Sequence, residues 1–317
     1  MSAETFTLGD TRLELSHLDK EIWPGRFQKR DLIAYYLSVA EVLLPHLRGR
    51  LVTLLRFPDG VDGPSFFQKA VPQGAPEFVA SYDDGGKPRL LVEDERTLTY
   101  LANLAAVELH IALWRIPRAE PDLAVIDLDP TPPLRFQAAR DVAFSVKDLL
   151  DRLGLPSFVK TSGADGLHIF VPLDGGADFA EVRDFVRSVG QALRQNAPDK
   201  VTLETRVARR HGVFVDVNQN GRSRTMVAPY SLRATPLATV STPVTWEELA
   251  YVNPEDFRLD TVPRRIRAEG DPWSALREGP AVTLPQLPCT PKQTQKRAQR
   301  APANLAEGEG FEPSRGL

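Results

Sequence analysis

Three aspartates that follow apolar runs are the residues whose types and spacing suggest chemistry. Asp127 and Asp129 come at the end of the run 123–126, and Asp216 follows the run 213–215. Side chains at positions i and i+2 of a strand point to the same face, with α-carbons roughly 6 to 7 Å apart at about 3.3 Å rise per residue. Carboxylate oxygens suit Mg²⁺ or Mn²⁺ better than zinc, and a pair of such ions promotes in-line displacement at phosphorus. The pattern predicts a two-metal site, although an Asp-x-Asp pair alone also occurs as a strand-end cap or in a solvated loop.

A glycine-rich turn is the second candidate. It begins at Ser162 and Gly163 and leads through Gly166 to His168. The glycines would let backbone amides approach an anion, and Ser162 and His168 carry side-chain donors. The segment therefore predicts a triphosphate cradle. A hairpin turn of this composition needs no ligand, however, and a lone histidine in a strand is more often structural.

The charge is unevenly distributed along the chain. The net charge is −3, but the stretch 200–233 carries seven basic residues against two acids, a local balance of +5. Such a stretch can attract phosphate while the remainder keeps the molecule soluble. A solvated basic face is the alternative interpretation.

The elements that must position these residues follow from hydrophobic periodicity. The pattern predicts a β-α-β-β-α-β unit, preceded by two further helices and a strand, which is typical of an α/β (α+β) fold with an RRM-like mixed sheet. Phe66 and Phe67 are expected in a loop. Residues 1–278 are expected to form one catalytic domain with two lobes, and 279–317, including the basic cluster Lys292, Lys296, Arg297 and Arg300, a disordered tail. The predicted helices cover 29–47, 97–113, 136–153 and 179–193, and the predicted strands cover 51–55, 123–129, 157–161, 167–172 and 213–216.

Composition indicates the cellular setting. With Cys289 as the single cysteine of 317 residues, an internal disulfide is impossible. The N-terminal residues do not resemble a signal peptide, and no apolar run approaches the roughly 20 residues of a membrane helix. We therefore expect a cytoplasmic, nucleoid-associated protein with no membrane partner.

The three chemical motifs together resemble those of the archaeo-eukaryotic primase superfamily. More narrowly, the chain resembles the polymerase domain of bacterial ligase D, which serves non-homologous end joining. The matching motifs extend over about residues 10 to 260. They include Leu18-Asp19-Lys20, Trp23-Pro24, Lys29-Arg30-Asp31-Leu32, Phe66-Phe67-Gln68-Lys69, Glu108-Leu109-His110 and Ala228-Pro229-Tyr230-Ser231-Leu232-Arg233.

The resemblance implies a primase-polymerase fold with an N-terminal α/β lobe, and a role for each matching residue. Two Mn²⁺ or Mg²⁺ ions would be held by Asp127, Asp129 and Asp216. The incoming nucleotide would be bound by Ser162, Gly163, His168, Arg233, His110, Gln219 and Arg56. DNA would be bound by Lys20, Lys29, Phe66, Phe67 and Lys69, with the two early lysines forming a pocket for a 5′-phosphate and the aromatic pair a stacking platform.

The implied function is a DNA-dependent nucleotidyltransferase that fills gaps or extends broken ends, favouring ribonucleotides. Its partners would be DNA with a 5′-phosphate, NTP or dNTP, Ku and a separate DNA ligase, since no ligase or nuclease motif is found, and it would act as a monomer. Two departures from the family pattern, Arg224 for lysine and Leu237 for glycine, could alter nucleotide contacts. The alternatives are a haloacid-dehalogenase-type phosphatase, suggested by Asp127-x-Asp129-x-Thr131, and a nucleic-acid-binding module without catalysis.

Overall fold

The computed structural model describes residues 4–285, and two β-sheets dominate this part of the chain. The strands are β1 Glu4–Leu8, β2 Thr11–Leu15, β3 Glu21–Trp23, β4 Phe27–Gln28, β5 Val52–Arg56, β6 Phe66–Gln68, β7 Ser81–Asp83, β8 Pro88–Leu90, β9 Ala106–Ala112, β10 Leu123–Pro130, β11 Phe158–Thr161, β12 Leu167–Pro172, β13 Val201–Thr202, β14 Val213–Val215, β15 Thr225–Val227 and β16 Pro243–Val244. The helices are α1 Lys29–Ser38, α2 Ala40–Leu47, α3 Glu95–Asn103, α4 Phe136–Arg152, α5 Phe179–Asn196, α6 Trp246–Leu249, α7 Val262–Glu269 and α8 Ser274–Glu278.

The larger sheet has six strands in the order β13-β14-β10-β12-β11-β16. Its four central strands, with α4 and α5, form the β-α-β-β-α-β unit predicted from the sequence, which confirms the RRM-like mixed sheet. Helix α4 buries Ala139, Val142 and Val146 as its amphipathic pattern predicts. Helix α5 begins at a capping box in which Asp178 accepts hydrogen bonds from two backbone amides of the first turn.

The smaller sheet, in the order β15-β9-β5-β6, lies on the N-terminal side together with α1, α2 and α3. Residues of both sheets meet in one apolar cluster, where Val125 and Phe170 of the larger sheet pack with Met226 of the smaller one and with Trp273. The Trp273 indole also donates a hydrogen bond to the Val159 carbonyl over 3.0 Å. This packing fixes the spacing of the two sheets beside the site.

Three local predictions were wrong. The helix predicted over 97–113 ends at Asn103, because Ala105 adopts a left-handed conformation (φ 57°) and the chain continues as β9. The helix predicted over 29–47 is divided at Val39, where the Ser38 hydroxyl donates to the Tyr35 carbonyl and competes with the helical backbone. Phe66 and Phe67 lie on a short strand paired with β5, rather than in a loop.

The C-terminal part of the described chain runs beside β12. Val282 donates a backbone hydrogen bond to Pro172 over 3.0 Å and accepts one from Asp174 over 3.1 Å. Hydrogen bonding to the sheet thus continues a few residues beyond the domain boundary predicted at 278. The remainder of the predicted tail, including its basic cluster, lies outside the described residues. No helix within residues 4–285 has the length and apolar character to cross a membrane.

Candidate active site

The acidic residues lie side by side on one face of the larger sheet. In the antiparallel register Asp127 of β10 is opposite His168 of β12, and Leu128 is opposite Val215 of β14. The Asp216 amide continues this register by donating to the Asp127 carbonyl over 3.0 Å. Directly opposite residues of neighbouring strands share a face, so His168, Asp127 and Asp216 form a row, which we call the catalytic row. Asp129 lies on the same face, two residues further along β10.

The electrostatics of the row are those of crowded carboxylates. Asp127 is only 4% exposed, and burial followed by repulsion from Asp129 and Asp216 raises its pKa well above the usual range. The pKa of Asp129 is also raised, first by desolvation in the cleft and then by Asp216, although its side chain retains solvent contact. Both shifts indicate that the positive charges of the protein do not fully offset the negative charge of these carboxylates.

The residues of the row suit a divalent cation in their chemistry. Asp127 Oδ1 is buried and accepts no hydrogen bond of normal geometry, although His168 Nε2 lies 3.3 Å away. A buried carboxylate oxygen without a hydrogen bond is costly unless a cation approaches it. The hard oxygens of three carboxylates match the preference of Mg²⁺ and Mn²⁺. Within residues 4–285, however, no three acidic, histidine or cysteine side chains are already gathered closely enough to enclose an ion.

The glycine-rich turn joins β11 to β12 beside the row. The Ser162 hydroxyl accepts hydrogen bonds from the amides of Ala164 and Gly166, each over 3.1 Å. These two amides therefore point into the turn, contrary to the expectation that they approach an anion. Gly163 has φ 80°, and a Cβ there would lie 2.5 Å from Arg233 Cγ, so only glycine allows both the backbone conformation and the close approach of Arg233.

Glu108 links the two predicted nucleotide-binding side chains of the opposite wall. Its carboxylate lies 2.9 Å from His110 Nε2 and 3.2 Å from Arg233 Nε, and it accepts a hydrogen bond from the Ala234 amide over 3.1 Å. Despite burial, these partners lower the pKa of Glu108 to about 2. Arg233 also donates to the Ser162 carbonyl over 2.7 Å. Glu108 therefore fixes Arg233 between the glycine-rich turn and His110.

The aromatic platform is attached to the same wall. Phe67 is 63% exposed and makes an edge-to-face contact with His110, with ring centroids 5.8 Å apart. Phe66 is 46% exposed, and the Arg56 guanidinium lies over its ring at 5.1 Å. Arg56 also donates to the Leu104 carbonyl and to the Gln68 side chain. Its contacts thus support the platform rather than the glycine-rich turn. Gln219 lies near the row, with its amide nitrogen 3.4 Å from Asp216 Oδ2.

The two early lysines lie together at a separate position. The Lys29 amide donates to the Lys20 carbonyl over 2.8 Å, and Lys20 Nζ forms an ion pair with Asp59 over 2.8 Å. Lys29 is 5% exposed and donates to the Asn103 carbonyl over 3.0 Å. Burial and then the nearby Lys20 charge lower the pKa of Lys29 to about 8. A site of this kind gains stability when an anion binds.

Lys69 lines a groove of about 410 Å³ beyond the platform. Arg222 and Arg224 of the basic stretch line it too, with Arg89 and Arg183. Asp84, which pairs with Arg89 and Arg222, is the acidic residue lining this groove. The basic stretch is therefore not merely a scattered solvated face, because part of it forms a cationic groove that reaches Asn218, next to the catalytic row.

The sequence analysis assigned no individual role to three residues of this site. Lys160 is fully buried beside His168, and Glu108 was identified only as part of a family motif. Arg210, counted only within the basic stretch, stacks on Phe214 at 3.7 Å, and its charge opposes the rise in the pKa of Asp129. The register of the hairpin 157–172 would have placed Lys160 opposite His168, since the predicted turn 162–166 fixes which residues pair.

Comparison with known proteins gives a consistent result. Residues 28–273 match the family model described as LigD, primase-polymerase domain. The bifunctional non-homologous end joining protein LigD of Bacillus subtilis is 36% identical over 266 residues, covering 83% of this chain and 44% of that protein. The multifunctional non-homologous end joining protein LigD of Pseudomonas aeruginosa is 34% identical over 274 residues, covering 83% and 32%. This chain thus spans less than half the length of either relative.

A solved structure agrees in three dimensions. The polymerase domain from Mycobacterium tuberculosis ligase D, in complex with DNA, superposes with a TM-score of 0.77 at 35% sequence identity. The match covers 84% of this chain and 99% of that domain. The similarity therefore includes nearly the whole of one compact domain.

Proposed function

The chain belongs to the LigD primase-polymerase domain family, and on that premise we propose that it is a template-directed nucleotidyltransferase that extends a DNA primer at a gap or broken end. The observation that carries the proposal is the catalytic row. Three carboxylates, a histidine and a nearby arginine face one cleft, so acidic ligands for cations and donors for phosphate lie within the same site.

The proposed reaction is in-line attack of the primer 3′-oxygen on the α-phosphorus of the incoming nucleotide, with pyrophosphate leaving. Asp127, Asp129 and Asp216 would hold two Mg²⁺ or Mn²⁺ ions, whose chemistry when bound would be to lower the pKa of the attacking hydroxyl and to offset charge on the leaving oxygen. Arg233 and His168 would donate hydrogen bonds to the triphosphate, and Glu108 would keep Arg233 in position without rearrangement during the reaction. The Ser162 hydroxyl hydrogen, which the turn does not use, would be a further donor.

Sugar selection is assigned to His110 in this proposal. Its ring contacts Phe67 on one side and the Glu108 carboxylate on the other, so its position is fixed before a nucleotide enters. A fixed imidazole beside the stacking platform could recognise the 2′-hydroxyl that distinguishes NTP from dNTP. We therefore propose a preference for ribonucleotides.

Recognition of the far side of the gap is assigned to Lys20 and Lys29. Two neighbouring cations, one of them buried enough to have a lowered pKa, would be stabilised by a 5′-phosphate dianion. The proposed pathway is non-homologous end joining, the process named in the descriptions of the relatives. Ku and a DNA ligase are the partners proposed in that pathway.

The test is incorporation of labelled ATP or dATP on a gapped duplex carrying a 5′-phosphate, with Mn²⁺ or Mg²⁺ and with chelator. Asp127→Asn should reduce extension by about 100-fold or more, the scale on which loss of one preorganised electrostatic contact acts. Asp148→Asn is the matched control, because Asp148 is exposed on α4 and makes the same charge change away from the site. DNA affinity should be similar in all three proteins.

Retained extension by Asp127→Asn would refute the site assignment. No extension by the parent with either nucleotide would refute the polymerase, and would favour a binding module without catalysis. The phosphatase alternative is not supported, because the chain belongs to a different family and its acids form a row across antiparallel strands.

A further inference from the structure

A buried asparagine follows the third carboxylate of the catalytic row by four residues. Asn220 is 1% exposed. Its side-chain oxygen accepts a hydrogen bond from the Val125 amide over 2.8 Å, and its side-chain nitrogen donates to the Val125 carbonyl over 2.8 Å. A backbone N–H can only donate and a backbone carbonyl can only accept, so these two partners fix the orientation of the side-chain amide. The Asn220 side chain is therefore paired with the backbone of β10 in the way that a neighbouring strand would be.

This pairing continues the sheet where β14 has already ended. In the register of β14 against β10, the Asp216 amide donates to the Asp127 carbonyl. Two residues further along the same register, Val125 would pair with Asn218 by exchanging two backbone hydrogen bonds. The chain instead leaves the sheet in a 3-10 turn directly after Asp216. The Asn220 side chain supplies both of the hydrogen bonds that the departing backbone does not make.

The turn between these two attachments orients the carboxylate of Asp216. One carboxylate oxygen accepts from the Asn218 amide over 3.0 Å, and the other lies 3.4 Å from the Gln219 side-chain nitrogen. At the end of the turn, the Asn220 amide donates to the Val217 carbonyl over 3.4 Å. The turn is thus attached to β10 at its start by backbone pairing and at its end by the Asn220 side chain.

We propose that Asn220 is a positioning residue for metal binding, which holds the turn against β10 so that the Asp216 carboxylate faces the same cleft as Asp127 and Asp129. A turn attached only at its start would let this carboxylate sample other orientations, and ordering it would then oppose the binding of an ion. The inference rests on the proposed function for the role of the ions. Binding of Mn²⁺ can nevertheless be measured without a nucleotide or a primer.

The segment that follows Asn220 has attachments of its own. The Trp114 indole donates to the Arg222 carbonyl over 3.2 Å, and Thr225 of β15 is opposite Ala112 of β9. Loss of the Asn220 side chain should therefore disturb the carboxylate and leave the cationic groove in place. Affinity for Mn²⁺ should respond to this loss much more than affinity for DNA.

The direct test is a Mn²⁺ titration of the protein without nucleotide or DNA, in which electron paramagnetic resonance reports the free ion. Asn220→Ala removes both hydrogen bonds, and the Kd of the more weakly held ion should rise about tenfold, as is typical when a contact that orients a metal ligand is lost. Asn103→Ala is the matched control, because the Asn103 side chain also accepts from one backbone amide and donates to one carbonyl, those of Ser16 and Glu14, each over 3.1 Å. Its Mn²⁺ affinity should equal that of the parent.

A double-mutant cycle separates positioning from a general loss of stability. Asp216→Asn should itself weaken Mn²⁺ binding, and adding Asn220→Ala should then have little further effect, because Asn220 acts through the Asp216 carboxylate. The Tm should fall with Asn220→Ala in both backgrounds, since the Val125 amide and carbonyl lose their partners in each. Circular dichroism checks that each variant folds. If Asn220→Ala does not fold, Asn220→Ser, which retains a small polar group, takes its place in the cycle.

Primer extension provides the second measurement. Asn220→Ala should raise the Mn²⁺ concentration for half-maximal rate about tenfold, while the rate at saturating Mn²⁺ stays close to that of the parent. Unchanged Mn²⁺ affinity in the folded variant would overturn the proposal, as would absence of Mn²⁺ binding by the parent or an equal loss of affinity in the Asp216→Asn background. If the titrations agree with expectation but no protein extends a primer, the proposed function fails while the role of Asn220 stands. If the parent extends primers but the titrations disagree, the proposed function stands and the role of Asn220 fails.

Discussion

The recognition of a 5′-phosphate should weaken as the pH rises through about 8, because Lys29 loses its charge there. Burial, followed by repulsion from the Lys20 charge, lowers the pKa of Lys29 to about 8. Lysine ordinarily titrates near 10.4, so an unperturbed lysine would stay charged over the same interval. A change of pH from 7 to 9 therefore removes the charge of Lys29 while ordinary lysines stay charged.

The size of the effect follows from the pKa. About nine-tenths of Lys29 is charged at pH 7 and about one-tenth at pH 9. The charged form, which is the one proposed to bind phosphate, therefore decreases about tenfold. The terminal phosphate has its second pKa near 6 and remains a dianion throughout. The ratio of affinities for phosphorylated and unphosphorylated gaps should thus fall by up to about tenfold, or about 1.4 kcal/mol.

The assay is fluorescence anisotropy of a gapped duplex with and without the 5′-phosphate, at constant ionic strength because phosphate contacts are salt-dependent. Taking the ratio cancels pH effects on general DNA binding. Lys29→Arg is the control, since arginine remains charged across this range and its ratio should stay constant with pH. A constant ratio in the parent, or an equal fall in Lys29→Arg, would show that Lys29 does not contact the phosphate in the way proposed.

Two further predictions concern the wall that holds Arg233. Glu108→Gln keeps the size of the side chain but removes the charge that fixes Arg233 and His110, so KM for ATP should rise about tenfold and the ATP to dATP preference should fall in single-nucleotide extension. Unchanged selectivity would separate His110 from sugar recognition. Gly163→Ala places a Cβ 2.5 Å from Arg233 Cγ at φ 80°, so nucleotide KM should rise about tenfold with DNA affinity unchanged. Gly154→Ala is its control, because Gly154 has φ 69° but open space around it, and an equal effect there would indicate backbone strain alone.

The sequence predicted the larger sheet well because its elements follow simple patterns. Helix α4 shows a helical apolar stripe and ends before Gly154, whose φ of 69° suits a helix end. The smaller sheet was predicted less well. Strand β9 is buried on both faces, so it lacks the alternation that identifies a half-buried strand, and Ala105 occupies a left-handed position where glycine would have marked the end of α3.

Some residues of the candidate site could likewise be predicted from the sequence, and others could not. Asp127, Asp129 and Asp216 could be found from residue type, because acids at strand ends are conspicuous and their i, i+2 spacing fixes a common face. Glu108 could not, because its role depends on Arg233, 125 positions later in the chain. Such a contact is created by the packing of one sheet against another, and no local pattern encodes it.

Lys160 is intermediate between the site residues that the sequence predicts and those that it does not. By residue type it is an ordinary lysine in a short strand, and its neighbours Val159 and Thr161 suggest nothing chemical. Its partner is nevertheless only eight residues away, and a five-residue turn is sufficient to place it opposite His168. What composition could not show was the second partner of Lys160, the Ser241 hydroxyl, which lies 81 positions later in the chain. Lys160 therefore joins the row through a strand register that the turn length fixes, although none of the motifs that identify the site includes it.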